Sequence, residues 1–250
     1  MEKRLFEVCC GSAQDALAAY KGGASRVELN SDLFHGGLTP TVGDLITVKK
    51  YAPDLKVMCM VRPREGGFCY TDLEFEVMLA DAKLLLDHGA DGIVFGCLHE
   101  DGTIDVDRCK SMLEIIGEKE SVFHRAIDVV PNVFETLDIL MDLGVTRVLT
   151  SGQKPTALEG ADTICAMIEH TKGRMEILPG SGIRLNNAIE CYETFGVTYL
   201  HGSAHQLTED LSLQGNPDIH FHGSTPLPEH QYKVVFSEDV KKFIKNANNY

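Results

Sequence analysis

The sequence lacks a long apolar segment and a cluster of basic residues, and each absence excludes a class of protein. No apolar run approaches the roughly 18 residues that a membrane span requires, so no transmembrane helix is expected. Lysine and arginine number 23 against 37 acidic residues, which gives a formal net charge of −14. Such a surface repels phosphate backbones, and a nucleic acid is therefore not an expected partner.

The sequence also lacks a C-x-x-C pair, although it contains eight cysteines. It therefore carries neither a zinc-ribbon motif nor a thioredoxin-like motif. The opening residues Met1-Glu2-Lys3-Arg4 lead directly into an apolar run and show no features of a secretory signal. Reduced thiols in the cytoplasm are expected rather than disulfides.

One short pattern recurs four times. A glycine is followed directly by alanine or valine, and an apolar residue lies four positions after the glycine. It begins at Gly23, Gly89, Gly144 and Gly196. Each glycine suits the left-handed position just after a helix, and the short loop then leads into an apolar run. Repeated short loops of this kind are typical of parallel βα units.

Eight apolar runs are candidate strands, and their spacing leaves room for one crossover helix between consecutive strands. The runs lie near residues 4–9, 26–30, 56–61, 92–96, 121–126, 147–150, 175–179 and 198–202. We predict an α/β fold, a single-domain (β/α)8 TIM barrel over residues 1–250. An open doubly wound sheet is the alternative, but no Gly-x-Gly-x-x-Gly follows the first run, which disfavours it.

The intervening segments carry helix signals, and the end of the chain departs from the repeat. Helix N-caps are predicted at Ser12, Thr41 and Thr71, each followed three residues later by an acid. Leu73, Val77, Ala80 and Leu84 give an apolar stripe on the third helix. Residues 206–236 are polar and proline-rich, and we predict a long final βα loop that caps the barrel mouth, followed by a terminal helix over 237–249.

In a TIM barrel the functional residues converge where the strands end. Glu7 and Glu28 lie in adjacent predicted strands, and alternation places each on one face with a polar residue, Cys9 or Asn30. Two interpretations are compatible with inward-facing acids. Either could act as a general base, or both could fill a polar layer of the core, paired with Arg62 or Arg125.

The run from His124 to Asp128 contains the highest density of functional residue types. His124 is a candidate proton carrier, and Asp128 is an acid that would orient it. Arg125 points to the other face unless the strand has already ended. The alternative is an ion-paired strand end that tethers a loop.

Small residues end the last three strands, where backbone N–H groups can approach an anion. The candidate anion-binding residues are Ser151, Gly152, Gly180, Ser181, Gly182 and Ser203. Tight turns are the other explanation for these glycines.

Cys9 is the candidate soft metal ligand. Cys59, Cys97, Met58 or Met60 from other strands could join it around a copper(I) ion, although cysteine and methionine also commonly fill cores. The pairs His201/His205 and His220/His222 are further candidates, but a solvated loop is the favoured interpretation for both.

Several of these motifs resemble the CutC copper homeostasis proteins. They are Glu7-Val8-Cys9, Gly36-Gly37-Leu38-Thr39-Pro40, Arg62-Pro63-Arg64, Phe123-His124-Arg125-Ala126, Pro179-Gly180-Ser181-Gly182 and His201-Gly202-Ser203. The resemblance implies a cytoplasmic, homo-oligomeric (β/α)8 barrel associated with copper, and a copper ligand at Cys9. The family's second cysteine position, after Glu28-Leu29, holds Asn30 here.

The sequence therefore indicates two alternative functions. One is cytoplasmic copper(I) binding through Cys9. The other is an enzyme, a lyase, isomerase or hydrolase, that acts on a small anionic or phosphorylated molecule with Glu7, Glu28 and His124 as acid–base groups and Arg62 and Arg125 as anion-binding groups. An interaction role for residues 206–236 is a third, less specific interpretation.

Overall fold

The computed structural model describes residues 4–216, 218–219 and 231–248. Eight parallel strands form one sheet in the order β7-β6-β5-β4-β3-β2-β1-β8. They are β1 (Leu5–Cys10), β2 (Arg26–Leu29), β3 (Lys56–Met60), β4 (Gly92–Phe95), β5 (Glu120–Phe123), β6 (Arg147–Thr150), β7 (Glu176–Pro179) and β8 (Tyr199–Gly202). Because β1 lies between β2 and β8, the sheet curves into a barrel, which confirms the predicted fold and rules out the doubly wound sheet.

Helices follow the strands on the outside of the barrel. They are α1 (Ala13–Lys21), α2 (Val42–Tyr51), α3 (Asp72–Asp87), α4 (Val106–Ile116), α5 (Val133–Asp142), α6 (Ala161–Thr171), α7 (Ala188–Phe195) and α8 (Ser237–Asn248). The side chains of Ser12, Thr41 and Thr71 each accept a hydrogen bond from the backbone N–H three residues later, so the predicted N-caps are confirmed. Within the described ranges, none of the helices is long and apolar enough to cross a membrane.

The barrel closes between β7 and β8 through close packing at Gly180. A Cβ atom at this position would lie 3.3 Å from the Cβ atom of His201 and 2.6 Å from Leu149. Only glycine leaves room for these contacts. This close approach brings the ends of β7 and β8 together at the mouth of the barrel.

Alternation along the strands separates two apolar regions. One set of side chains packs outward against the helices, and Val8, Cys10 and Val27 belong to it. The other set fills the barrel interior and consists of Met58, Met60, Val94, Val122, Leu149 and Leu178. The interior is therefore a packed core and not a pore, as the fold requires.

Ion pairs seal the barrel below this apolar interior, at the start of the strands. Arg26 pairs with Glu7 and, at 3.1 Å, with Glu176. Arg147 pairs with Glu120 at 2.6 Å and with Glu176 at 2.8 Å. Both arginine side chains are almost fully buried, so their carboxylate partners offset the cost of removing the charges from water.

The apolar stripe predicted on α3 lies on the protein surface. Leu73 is 71% exposed, Val77 44% and Leu84 45%, and Ala80 is also exposed. The face that packs on the barrel is formed by Met78, Ala82 and Leu85 instead. The helix carries two apolar stripes, and periodicity alone does not distinguish which of them meets the barrel.

The segment predicted as a loop over 206–236 contains strands at both of its ends. β9 (His205–Glu209) pairs with β10 (Gln231–Val235) in an antiparallel sheet, while residue 217 and residues 220–230 lie outside the described chain. Cross-strand pairing satisfies backbone groups that a loop would expose to water. The buried carboxylate of Asp15 accepts hydrogen bonds from Val235 N at 2.8 Å and Gly11 N at 3.0 Å, which anchors the two strands beside α1.

The terminal helix α8 begins at Ser237 as predicted, and it packs against the barrel. The ring of Phe243 stacks on Phe6 of β1 with the centroids 4.5 Å apart. Gly22 lies directly against Val240, and a Cβ atom at position 22 would lie 2.5 Å from the Cβ atom of Val240. Residue 249 of the predicted range is outside the described chain, and the assignment of residues 1–250 to one domain stays a prediction.

Candidate functional site

A cavity of about 450 Å³ opens where the barrel strands end. This volume lies within the range of sites for small molecules. The cavity is lined by Cys9, Glu28, Gly36, Met60, Arg62, Phe68, His124, Arg125, Asp128, Val129, Leu149, Ser181, Gly182, Ile183, Arg184, His201, Gly202 and Ser203.

Three chemically reactive side chains from β1, β2 and β8 converge on one wall of the cavity. One ligand-type atom from each of Cys9, Glu28 and His201 lies within 4.8 Å of the other two. Cys9 Sγ donates to Glu28 Oε2 over 3.6 Å, and His201 Nε2 lies 3.8 Å from the same oxygen. Asn30 Nδ2 donates to Glu28 Oε2 over 2.9 Å and lies 3.6 Å from Cys9 Sγ. Within the described chain, Glu28 Oε1 has no hydrogen-bond partner.

Glu7 lies beneath this cluster and connects it to the ion pairs of the barrel. One of its oxygens accepts from Arg26, and the other lies 2.9 Å from His201 Nδ1. A proton on Nδ1 satisfies this bond, so Nε2 is the nitrogen that faces Cys9 and Glu28. A carboxylate behind a histidine in this way fixes both the ring orientation and the tautomer.

The charges in the cluster follow from these contacts. Burial alone would raise the pKa of Glu7, but Arg26 and His201 outweigh it and hold the pKa well below its ordinary value. Burial and the charge of Glu7 raise the pKa of Glu28. Burial opposes protonation of His201, yet the charges of Glu28 and Glu7 raise its pKa. Burial and the neighbouring Glu28 raise the pKa of the Cys9 thiol far above its ordinary value, so the thiol is protonated in the metal-free protein.

The arginines expected to pair with the two acids have other partners. The guanidinium of Arg62 donates to the carbonyl oxygens of His35 at 2.9 Å, Gly37 at 3.0 Å and Gly66 at 2.7 Å. It therefore holds the β2 and β3 loops. Arg26 pairs with Glu7 instead, and the signal for it was present: Arg26 shares alternation parity with Glu28 and lies in register beside Glu7.

The segment around His124 also differs from the sequence-based expectation. Strand β5 ends at Phe123, and a 3-10 helix follows over Arg125–Val129. Arg125 Nε donates to Asp128 Oδ2 over 2.8 Å, so Asp128 orients Arg125 rather than His124. The strand ends early because the His124 side chain accepts a hydrogen bond from Ala126 N and caps the 3-10 helix.

His124 has its own environment on the cavity wall opposite β1. Its Nδ1 accepts from Ala126 N over 3.2 Å, and no described residue partners its buried Nε2. Burial and the charge of Arg62 lower the pKa of His124 to about 3. The ring is therefore neutral with its proton on Nε2, which makes His124 a hydrogen-bond donor rather than a base.

Part of the predicted anion site is occupied by the protein's own groups. Ser151 N and Gln153 N donate to Asp128, at 3.0 Å and 3.2 Å, and Gly152 N donates to Thr150 Oγ1 over 2.9 Å. Asp128 therefore acts as the anion that these amides bind.

The remaining candidates from the β7 and β8 ends divide in the same way. Gly180 N donates to Thr150 O over 2.9 Å, and Ser181 Oγ donates to Pro155 O over 2.8 Å. Ser181, Gly182 and Ser203 all line the cavity, although the Ser181 hydroxyl is already used. Arg184 also lines the cavity, although it is not among the residues predicted from the sequence. Its position, four residues after Gly180 at the end of β7, is the sequence feature that could have indicated it.

The soft-ligand candidates separate according to strand alternation. Cys59 and Cys97 are fully buried in the outer core, facing the helices, and cannot join Cys9. Met60 lines the cavity. His201 lies in β8 and is buried, so the solvated-loop interpretation was wrong for it. His205 lies in β9, 3.6 Å from Asp15, and His220 and His222 are outside the described residues.

The fold and the cavity define a (β/α)8-barrel protein with a Cys–Glu–His cluster at its mouth, in which Glu28 and His201 are buried and Cys9 is half-buried. The chain belongs to the CutC family, whose sequence model matches residues 4–206. A CutC family protein of Treponema denticola is 50% identical over 246 residues, which are 98% of this chain and 100% of that protein. The human copper homeostasis protein cutC homolog is 41% identical over 245 residues, 98% of this chain and 89% of that protein.

A solved structure shows the same relationship. The crystal structure of CutC from Streptococcus agalactiae superposes with a TM-score of 0.76 at 32% identity, covering 81% of this chain and 99% of that chain. The family resemblance inferred from the motifs is therefore confirmed.

We predict that Glu28→Gln lowers the pKa of His201, because the substitution removes the carboxylate charge nearest to Nε2. A raised histidine pKa adds stability that is complete below the unfolded value of about 6.5 and is lost as the pH rises through the folded value. In the wild type the free energy of unfolding should therefore fall with pH above about 6.5, and this slope should be reduced in Glu28→Gln.

NMR titration of the His201 ring and urea unfolding at several pH values measure both effects. Glu65→Gln removes an exposed carboxylate and serves as the control. An unchanged His201 pKa in Glu28→Gln would contradict the coupling.

Proposed function

We propose that this chain participates in copper homeostasis in the cytoplasm by binding copper(I) through Cys9 and His201. The convergence of Cys9, Glu28 and His201, with ligand atoms no more than 4.8 Å apart, is the observation that carries this proposal. Thiolate, imidazole and thioether are the ligands that copper(I) prefers. Met60 supplies a thioether in the same cavity, and the names of the relatives support the choice of metal.

The surroundings of His201 support a role as a metal ligand. Its Nδ1 is hydrogen-bonded to Glu7, which in turn is hydrogen-bonded to Arg26. The His201 side chain is therefore held in one rotamer, with Nε2 directed toward Cys9 and Glu28. Metal-binding histidines commonly have a carboxylate in this outer position. Glu7 and Arg26 are therefore positioning residues in this proposal.

The surroundings of Cys9 support a proton-coupled site. The thiol donates to Glu28, and a copper ion that binds sulfur displaces this proton. Asn30 Nδ2 then remains as a hydrogen-bond donor to the sulfur of Cys9. Position 30, where the family has its second cysteine, would therefore contribute to the site through the asparagine amide. Affinity for copper(I) should accordingly increase with pH.

Copper(I) titration under anaerobic conditions tests the site. The wild type is expected to bind about one ion per chain, and Cys9→Ala should weaken binding at least tenfold because the thiolate ligand is lost. Cys10→Ala is the matched control, because it removes the thiol of the adjacent residue, which faces the helices in the outer core.

A competition assay with a chromogenic copper(I) chelator measures the affinities. Equal affinities for Cys9→Ala and the wild type would refute the Cys9 site. His201→Gln should weaken binding as well, because the imidazole ligand is lost.

A second candidate function, acid–base catalysis, is favoured by the state of Glu28 and His201. Both have raised pKa values, and Glu28 Oε1 faces no protein donor in the described chain. A carboxyl with a raised pKa at the wall of a cavity is typical of a general acid or base. The reaction class would be proton transfer at a carbon next to a carbonyl, with Glu28 taking the proton and returning it.

Deuterium exchange tests this candidate. The protein should catalyse exchange of the methyl protons of pyruvate with D₂O, observed by ¹H NMR, and Glu28→Gln should abolish the exchange since the base is removed. Glu65→Gln is the control. No exchange above the buffer rate would contradict proton transfer on this substrate class.

We also propose that the chain forms a homo-oligomer through the exposed stripe of α3. Leu73, Val77 and Leu84 present apolar surface on one helix face, and contiguous exposed apolar surface commonly marks an interface. Tyr51 of the neighbouring helix α2 is also 62% exposed.

The double substitution Leu73→Glu and Val77→Lys should shift the protein toward a monomer, because it places charges in the apolar contact. Sedimentation velocity measures the mass. Glu76→Lys, on an exposed neighbouring position of the same helix, is the control, because it alters a charge on this helix without changing the three apolar residues. A wild-type monomer, or an oligomer that the double variant leaves intact, would contradict this interface.

A further inference from the structure

One buried donor in the cavity takes no part in the copper proposal. We propose that the cavity binds a small organic anion carrying a carbonyl oxygen, with that oxygen accepting from His124 Nε2–H and the anionic group directed to Arg184. His124 is 3% exposed, and its Nε2 has no partner among the described residues. A buried N–H without an acceptor costs free energy, and a ligand oxygen would remove that cost.

The fold fixes the ring of His124 so that Nε2 is the ring nitrogen left without a hydrogen-bond partner among the described residues. Ala126 N donates to Nδ1, and the Phe68 ring packs against the imidazole at a centroid distance of 4.7 Å. Gly96 makes room for the ring, because a Cβ atom there would come within 2.5 Å of His124 Cε1. These contacts prevent the ring from turning to find a protein acceptor.

The nearby charges favour an acceptor at Nε2 rather than a cation. Arg62 lies close enough to His124 to disfavour its protonation, so the ring donates one neutral hydrogen bond. A neutral donor facing a low-dielectric cavity stabilises a carbonyl oxygen, and stabilises it further when that oxygen gains negative charge.

The anionic end of the ligand is assigned to the β7–α7 loop. Arg184 lines the cavity, and its guanidinium has no ion-pair partner in the ranges that the structure describes. Gly182 and Ser203 also line the cavity. Glu28 and Cys9 lie on the β1 and β2 side, so an anion near Arg184 avoids the carboxylate.

The dimensions restrict the ligand to a small molecule. The cavity holds about 450 Å³, and its interior side is closed by the apolar side chains of Met60 and Leu149. A 2-oxo carboxylate has both required groups within a few bonds, and a carbonyl compound with a phosphate ester has the same two groups farther apart. Binding of this ligand does not depend on copper. It would supply the substrate class for the proposed acid–base catalysis, and only turnover of the ligand rests on that proposed function.

Isothermal titration calorimetry with pyruvate, dihydroxyacetone phosphate and inorganic phosphate tests the site. At least one of the two carbonyl anions should bind more tightly than inorganic phosphate, which lacks the carbonyl. His124→Asn keeps an acceptor near Ala126 N but loses the donor at the Nε2 position, and it should weaken binding about tenfold, as expected for one hydrogen bond. His124→Gln, whose amide can reach the Nε2 position, should retain more affinity.

A second variant tests the charged end. Arg184→Gln should weaken binding of the same ligand by about tenfold or more, since it removes the cation, while copper(I) affinity should stay at the wild-type value. Arg174→Gln, remote from the cavity residues, is the matched control. If neither carbonyl anion binds, or if His124→Asn binds as well as the wild type, the inference is wrong.

The results of these experiments distinguish binding of a carbonyl anion from copper binding and from acid–base catalysis. Ligand binding that survives in Cys9→Ala and is lost in His124→Asn supports the site regardless of copper. Binding without deuterium exchange would contradict the acid–base candidate alone. Equal binding of inorganic phosphate and both carbonyl anions would show a simple anion site and overturn the role of His124.

Discussion

The buried carboxylate of Glu7 is the group on which the rest of the site depends. It accepts from Arg26 on one side and contacts His201 on the other, so it connects the ion pairs at the base of the barrel to the reactive cluster at its mouth. Removing one partner of such a buried pair costs about 3–5 kcal/mol, because the other charge is left uncompensated. The same contacts that stabilise the barrel therefore fix the orientation of the His201 ring.

The two walls of the cavity have opposite chemical character. On the β1, β2 and β8 side, Cys9, Glu28 and His201 favour their protonated forms, since burial and neighbouring charges raise the pKa of Glu28 and of the thiol, and the charges of Glu28 and Glu7 raise the pKa of His201. On the β5 side, His124 is held neutral by burial and by Arg62. Metal binding as proposed would require only the first wall, whereas recognition of an organic molecule would use both.

Asp128 illustrates how a functional-looking residue can serve the scaffold. Its carboxylate accepts hydrogen bonds from Ser151 and Gln153 and from Thr150 Oγ1 at 2.5 Å. These are donors that an external anion would otherwise use, so the Ser151 and Gln153 amides after β6 are already occupied. The predicted anion-binding residues that line the cavity with their backbone groups unoccupied by Asp128 are those at the β7 and β8 ends, such as Gly182 and Ser203.

The sequence by itself determined the barrel, its three early N-caps and the shared strand face of Glu7 with Cys9 and of Glu28 with Asn30, because glycine spacing and strand alternation are local properties of the chain. That this face points into the barrel depends on the tertiary structure. The sequence also did not determine which arginine meets Glu7, that His124 ends a strand, or which stripe of α3 is buried. These depend on register between strands and on which helix face meets the sheet. His201 shows the difference most clearly: it is 194 residues from Glu7 in the chain, and only barrel closure brings the two side chains into contact.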